Sequence, residues 1–318
     1  MASAYSSAQI EQYEEYVSLP TRFRKASKPA LDSAYLTALH IHQISSIPYE
    51  NLILHYSTHH TVSLDPETLF NKIVTDKRGR GGYCMENGIF FNHVLRALGF
   101  RVYMAGVRVR LRVEGIPAGD YLGWVHIVNI VTLASGERWM LDVAFGGDGP
   151  TKPLPLISEY VTQNLGTQEV RLIYGTIPQQ LEQTQRLWIY QYRNGKDKDW
   201  NSFYAFPEME FFQADFEIMN FFTSQSRSPN FQTSTMLIIR FLRGETEEEG
   251  VVGKVMLVNG EVKRNDGGKT RLVLTCTTEE ERLKALEEHF EIWLTDEEIN
   301  GIKGRNVELL GTAEKKKE

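Results

Sequence analysis

The chain has 318 residues, with 35 Lys+Arg against 41 Asp+Glu for a net charge of −6, and no dense basic stripe outside the Lys315-Lys316-Lys317 tail. That balance argues against nucleic acid as a partner. Two cysteines are too few for a disulfide scaffold or a cysteine-rich zinc site, and no apolar run nears the roughly 18 residues of a membrane span. With 42% hydrophobic residues and no basic-then-apolar leader in the opening MASAYSSAQIEQYEEY, the expectation is a cytoplasmic protein of about two domains, with no membrane partner and no metal.

The first 75 residues read as helical. Leu31, Tyr35, Leu39 and His42 recur at helical spacing, and Pro48 closes that stretch. Asp65-Pro66 reads as an N-cap followed by proline at the first helical position, with Leu69, Phe70 and Ile73 on one face. Arg78-Gly79-Arg80-Gly81-Gly82-Tyr83-Cys84 follows, too glycine-rich for a stable helix and permissive of tight or left-handed backbone. A helix resumes at once: Met85, Ile89, Phe90, Val94, Leu95 and Leu98 form one stripe, and Gly99 sits where a C-terminal cap belongs.

From Phe100 the pattern turns to strands: Arg101 to Leu111, Trp124 to Val131, a turn at Ser135-Gly136, then Trp139 to Phe145, ending in the loop Gly146 to Pro150. Gln168 to Tyr174 and Leu187 to Tyr192 extend this into a small barrel or sandwich. The last third predicts strands over Met236–Leu242, Val251–Val258 and Arg271–Cys276, with an acidic solvated loop at Glu245–Glu249. Thr278 with Glu281 forms a capping box before a final helix.

Cys84 therefore stands at the head of a helix, where unpaired N–H groups and the macrodipole favour thiolate over thiol and pull the pKa below about 8.5. Neighbouring N–H groups at the glycines can converge as an oxyanion hole. Arg78 and Arg80 either add positive potential or anchor the loop to a carboxylate. Cys276, in Leu272-Val273-Leu274-Thr275-Cys276, reads as a packing residue.

A cysteine nucleophile needs a base and a group to orient it. The downstream candidates are His126, in the strand beginning at Trp124, and Asp142, a carboxylate in the apolar run Met140 to Phe145 that must be paired if buried. A two-residue Ser135-Gly136 hairpin would pair positions whose numbers sum to 271, placing these two on opposite faces. A bulge or an odd connection must intervene for them to meet. His55, His59 and His60 carry no zinc-like pattern and read as surface loop, while His40, His42 and His93 read as ordinary helix residues.

At these residues the sequence resembles a known family. Arg80-Gly81-Gly82-Tyr83-Cys84 with Glu86 resembles the cysteine signature of the arylamine N-acetyltransferases, and Ile47-Pro48-Tyr49-Glu50-Asn51-Leu52 resembles the family's upstream segment. His126, with Gly123 before it, occupies the place of the family's strand histidine. Asp142-Val143-Ala144-Phe145-Gly146 resembles its aspartate strand end. Trp200, Tyr204, Phe206, Asp215-Phe216, Asn220 and Ser228-Pro229-Asn230-Phe231 follow at similar spacing. The resemblance spans roughly residues 10 to 290 and is greatest to fungal members.

It implies an α+β fold in three parts: a helical bundle over 1–99 ending in the cysteine helix, a β-barrel over 100–210, and an α/β lid over 211–318, on a cysteine-protease/transglutaminase-like core. It also implies a Cys84–His126–Asp142 triad. That triad would catalyse ping-pong transfer of an acetyl or similar short acyl group from coenzyme A to an arylamine or arylhydrazine, without a metal. A xenobiotic-metabolising enzyme in the cytoplasm follows from the same likeness. Gly123, Gly146 and Gly147 are the implied coenzyme A contacts, and Phe145 lines the implied amine pocket. The stretch Gly146 to Thr151 either cradles the cofactor's phosphates or is a plain turn. Two departures stand out: Ala144 replaces the strand-end glycine, and Gly88 replaces an asparagine four residues after the cysteine, with Asn87 one position earlier. The competing reading is a thiol hydrolase or transglutaminase-like enzyme using the same three residues.

Overall fold

The computed structural model describes residues 2–226 and 230–311. Ser228, Pro229 and the lysine tail of the sequence reading lie outside them. The amino-terminal part holds helix α1 (Ser7–Tyr16), helix α2 (Ser33–Ser46), the short strand β1 (Tyr49–Glu50), two helical turns α3 (Ile53–Tyr56) and α4 (Pro66–Phe70), and helix α5 (Cys84–Ala97). The caps follow the sequence chemistry. Asp32 accepts from the Tyr35 N–H at the start of α2, Asp65 accepts from Thr68 with Pro66 behind it, and Gly99 takes the left-handed conformation after α5 at φ +99°. The interior residues Met85, Ile89, Phe90, Phe91, Val94 and Leu95 are fully buried, each contributing about 1.5–3 kcal/mol of hydrophobic transfer.

The barrel is made of β2 (Arg101–Val113), β3 (Ile116–Thr132), β4 (Arg138–Leu141), β5 (Leu154–Pro155), β6 (Thr162–Gln163), β7 (Glu169–Gly175), β8 (Leu187–Arg193) and β9 (Asn201–Phe206). These order as β5-β4-β3-β2-β9-β8-β7-β6, with every pairing antiparallel. The chain leaving β5 spans the gap to the far edge, where the Glu159 N–H reaches the Leu172 carbonyl at 2.7 Å. The eight strands thus form a nearly closed barrel. Val107, Val128, Ile130, Met140, Tyr190 and Tyr204 share its interior core, while Ile127, Val131 and Leu141 join the helical core with α5.

Helix α6 (Gln213–Gln225) and the turn α7 (Phe231–Ser234) lead into a second sheet of β10 (Leu237–Arg243), β11 (Val251–Val258), β12 (Glu261–Asn265) and β13 (Arg271–Thr275). β1 pairs with β10 at the edge of this sheet, tying the amino-terminal region into it. Helices α8 (Glu279–Phe290) and α9 (Asp296–Asn300) complete the chain, and the Thr278 capping box is formed. No helix among the described residues is long and apolar enough to cross a membrane.

Three expectations need correction. The strand predicted to run from Trp139 to Phe145 stops at Leu141, because Asp142 turns the chain: its Oδ1 accepts the Ala144 N–H at 3.1 Å. The strand containing His126 begins at Ile116 rather than Trp124, forming a long exposed hairpin with β2. Of the three glycines before the cysteine, only Gly79 is left-handed, at φ +66°. Gly81 and Gly82 are required for close approach instead: a Cβ on Gly81 would lie 1.9 Å from the Pro48 carbonyl oxygen, and one on Gly82 2.5 Å from Glu86 Cβ.

Candidate active site

The loop before Cys84 is held on both sides. Gly82 bridges to Tyr49 in parallel, and its carbonyl accepts the Glu50 N–H at 3.0 Å. Asn87 Nδ2 donates to the Pro48 carbonyl at 3.1 Å and the Gly82 carbonyl at 2.9 Å, clamping the loop to the first turn of α5. Glu86, buried and paired with Lys72, accepts the Tyr83 N–H at 3.0 Å.

Arg80 resolves the question left by the sequence: it anchors. Its guanidinium is buried against Glu50 at 3.0 Å and also reaches Glu298 of α9, which Arg78 shares. Neither arginine is left over to lend the thiol positive potential.

Cys84 is the first residue of α5 and is 5% exposed, its Sγ lying 3.6 Å from the Val125 carbonyl oxygen. Val125 is the extra residue of a β-bulge. Val107 pairs with His126 and Arg108 with Trp124, which leaves Val125 without a cross-strand partner and turns its carbonyl toward the sulfur. His126 follows directly, and its Nε2 lies 2.9 Å from Asp142 Oδ2, both side chains being buried. With Nε2 engaged there, Nδ1 is the ring nitrogen left, and no hydrogen bond joins it to Sγ among the described residues.

His126 and Asp142 meet because the β3–β4 connection has three residues, not two. Leu133 and Glu137 close the ladder with a 2.9 Å hydrogen bond, and Gly136 at φ +87° takes the left-handed position. The ladder then pairs Asn129 with Leu141 and Ile130 with Met140, so residue 142 continues on the face that carries Val128 and His126. The odd connection supplies what a two-residue hairpin would have prevented.

The electrostatics overturn one expectation. Burial pushes the Cys84 thiol up and outweighs the Met85 and Cys84 backbone N–H groups that favour the thiolate, while the charges of Asp142 and Glu86 push it further up. The head of a helix does not by itself make this cysteine acidic, because the site is drier than an exposed helix terminus.

Phe145 lies over the pair, its ring centroid 5.0 Å from that of His126 and edge-on to Phe203 and Tyr204 at 4.7 and 4.8 Å. Gly146, at φ +77°, and Gly147 form a short 3-10 turn against Ile239 of β10. Lys254 Nζ donates to the Gly147 carbonyl, and the neighbouring Asp148 pairs with Arg112 at 2.9 Å. Gly123 is exposed on β3 with open space where a side chain would be. Ala144 is buried beside Asp142 and Phe145 in the wall of a very small void.

His40, expected to be an ordinary helix residue, has a structural task. It is fully buried, its Nε2 is 3.0 Å from the Pro150 carbonyl at the end of the Asp142 loop, and burial pulls its pKa down to about 4. A neutral histidine here positions that loop; no sequence pattern marks it. His55, expected in a surface loop, is buried with Nε2 3.2 Å from the Thr235 carbonyl. Cys276 is buried in the core between the second sheet and α8, consistent with packing.

The fold places a helix-borne cysteine against the strand residue that precedes a buried histidine–aspartate pair. The family model described as N-acetyltransferase matches residues 32–299. An N-malonyltransferase of Fusarium pseudograminearum is 36% identical over 94% of this chain and 92% of its own length. The Escherichia coli arylamine N-acetyltransferase is 31% identical over 66% of this chain and 68% of its own. Among solved structures, the arylamine N-acetyltransferase from Salmonella typhimurium matches with a TM-score of 0.76 at 24% identity, covering 94% of this chain and 98% of that one. The Mycobacterium marinum enzyme in complex with CoA matches at 0.71 and 21% identity, over 94% and 96%. The chain belongs to the arylamine N-acetyltransferase family, among its fungal-type members, and is an enzyme of the family's acyltransferase type.

Proposed function

We propose that the protein transfers an acyl group from coenzyme A to the nitrogen of an arylamine or arylhydrazine through a thioester on Cys84, and that malonyl is its preferred donor group. The observation that carries the mechanism is the 2.9 Å Asp142–His126 contact, one residue along β3 from the Val125 carbonyl that the thiol approaches. His126 Nδ1 takes the Cys84 proton, and the thiolate attacks the thioester carbonyl. The same imidazolium then protonates the departing coenzyme A sulfur. In the second half, the amine nitrogen attacks the acyl-cysteine. His126 removes the nitrogen's proton and returns it to Sγ, so the thiol is regenerated. Asp142 holds the ring in place and balances its charge.

Gly123, Gly146 and Gly147 are assigned to coenzyme A and Phe145 to the amine pocket. Malonyl is favoured by the N-malonyltransferases, the relatives that match over nearly their whole length at 32–36% identity. Beside Gly147, Lys254 and Arg112 against the single Asp148 leave one positive charge in excess, which suits the malonyl carboxylate or the cofactor's phosphates.

Intact-mass measurement after incubation with malonyl- or acetyl-coenzyme A tests this. One added acyl group is expected, absent in Cys84→Ala, with the malonyl adduct forming faster and being discharged by added arylamine. An adduct at another residue overturns the assignment. Thioester consumption at the same rate with and without amine places the protein with the thiol hydrolases instead.

A further inference from the structure

A groove of about 600 Å³ opens between α2 and the β4–β5 edge of the barrel, formed by residues distinct from the Cys84 site. Its volume falls in the range of small-molecule sites. Phe23, Ile41, Trp139 and Tyr160 give it an apolar and aromatic wall. The polar groups in the same wall are donors in excess. The Trp139 indole N–H and the Thr162 hydroxyl are buried with no hydrogen-bond partner among the described residues, a costly arrangement unless something supplies an acceptor.

The charges point the same way. Arg22, Lys152 and Arg243 face the groove against Glu247 and Glu248, and Glu247 is taken by Arg22. Lys152 and Arg243 have no acidic partner within salt-bridge reach among the described residues, and burial pulls both pKa values down. Arg243 contacts the ring of His42. That ring's Nδ1 is 2.9 Å from the Val17 carbonyl and so carries the proton, which leaves Nε2, 3.4 Å from the guanidinium, as a neutral acceptor rather than a counter-charge. Burial pulls the His42 pKa down as well, favouring the neutral ring.

We infer that this groove binds a small aromatic carboxylate, its ring against Trp139 and Tyr160 and its charge balanced by Lys152 and Arg243. The three cations and two carboxylates of the groove leave one net positive charge, which a carboxylate neutralises while supplying acceptors for the orphaned donors. An aromatic body fills the apolar wall. Because α2 carries both this wall and His40, and Trp139 lies three residues before Asp142, the groove adjoins the loop that positions the catalytic candidates. Binding itself does not require Cys84.

Titration calorimetry of the full-length protein with 2-naphthoate, 2-naphthamide and inorganic phosphate tests the inference. Saturable one-site binding of 2-naphthoate is expected, with 2-naphthamide and phosphate each at least tenfold weaker. Lys152→Met and Arg243→Met should each weaken 2-naphthoate about tenfold, as loss of a charge-assisted contact does. Thr162→Val, which removes only a hydroxyl, should weaken it severalfold. Cys84→Ala and saturating coenzyme A should leave it unchanged. No saturable binding, binding indifferent to all three groove substitutions, or displacement by coenzyme A would overturn the site. Phosphate binding as tightly as 2-naphthoate would overturn its aromatic half. None of these outcomes depends on the acyltransferase chemistry at Cys84.

Discussion

Replacing His126 with Gln tests whether the imidazole keeps the sulfur reactive. The Gln amide can still donate to Asp142, which at present lies 2.9 Å from His126 Nε2, so the loop after β4 keeps a partner. On the proposed mechanism, the replacement removes the group that takes the thiol proton. A cysteine titrating at its ordinary value near 8.5 is about 3% thiolate at pH 7, whereas a cysteine–imidazolium pair holds the sulfur almost wholly ionised. Alkylation by iodoacetamide follows the thiolate fraction, so the rate at pH 7 should fall by about 30-fold or more in His126→Gln. The figure is a lower bound, because burial and the Asp142 and Glu86 charges push the isolated thiol further up. The assay is pseudo-first-order loss of the thiol between pH 5 and 10, with the unfolded protein as the control for intrinsic reactivity. The wild-type profile should be flat from about pH 6 upward, and that of the variant should climb through alkaline pH. A His126→Gln protein alkylated at pH 7 within threefold of wild type would refute the ion-pair reasoning, since the thiolate would then owe nothing to the imidazole.

Two further substitutions probe the scaffold under the site. Gly88→Ala places a Cβ 2.5 Å from Ile127 Cγ2 on a rigid β-branched side chain; overpacking of about 1–3 kcal/mol should exceed the gain in helix propensity of about 1 kcal/mol, and Tm should fall by about 2–4 °C in a thermal melt. Arg80→Met leaves Glu50, which is fully buried, without its 3.0 Å partner, and should cost about 3–5 kcal/mol in urea unfolding, with Glu50→Gln in the same chain restoring part of it. Burial pushes the Glu50 carboxyl up, but Arg80 and Lys72 more than offset this and hold it below its ordinary range. Its contribution is therefore complete above the unfolded value near 4.3 and is lost as pH falls through the native one, so Glu50→Gln should flatten the acid limb of the stability–pH curve.

Much of the site was legible because its chemistry is local. The glycines before Cys84, the capping pattern of α5 and the carboxylate in an apolar run each announce themselves within a few residues. The meeting of His126 with Asp142 was not legible from spacing. It depends on one residue more in the turn at Ala134-Ser135-Gly136, which shifts the β3–β4 register and brings both side chains to one face. Nor was the role of Gly88: it is a helix position that looks unfavourable until Ile127 of a strand some forty residues on is seen to occupy the space. The burial of His40 and the anchoring of Arg80 by Glu50 and Glu298 likewise join residues far apart in the chain.

By itself the amino-acid order determined where helices begin, which sulfur heads one of them, and the succession of helical, β and mixed segments, since caps, glycine freedom and hydrophobic period act over a turn or two. Only the tertiary structure decided the surroundings of that sulfur. A helix terminus in water lowers a thiol's pKa, but packing removed the water, and desolvation is set by what the rest of the chain places around an atom. The surroundings of Cys84 are accordingly a property of the whole fold rather than of its own turn of helix.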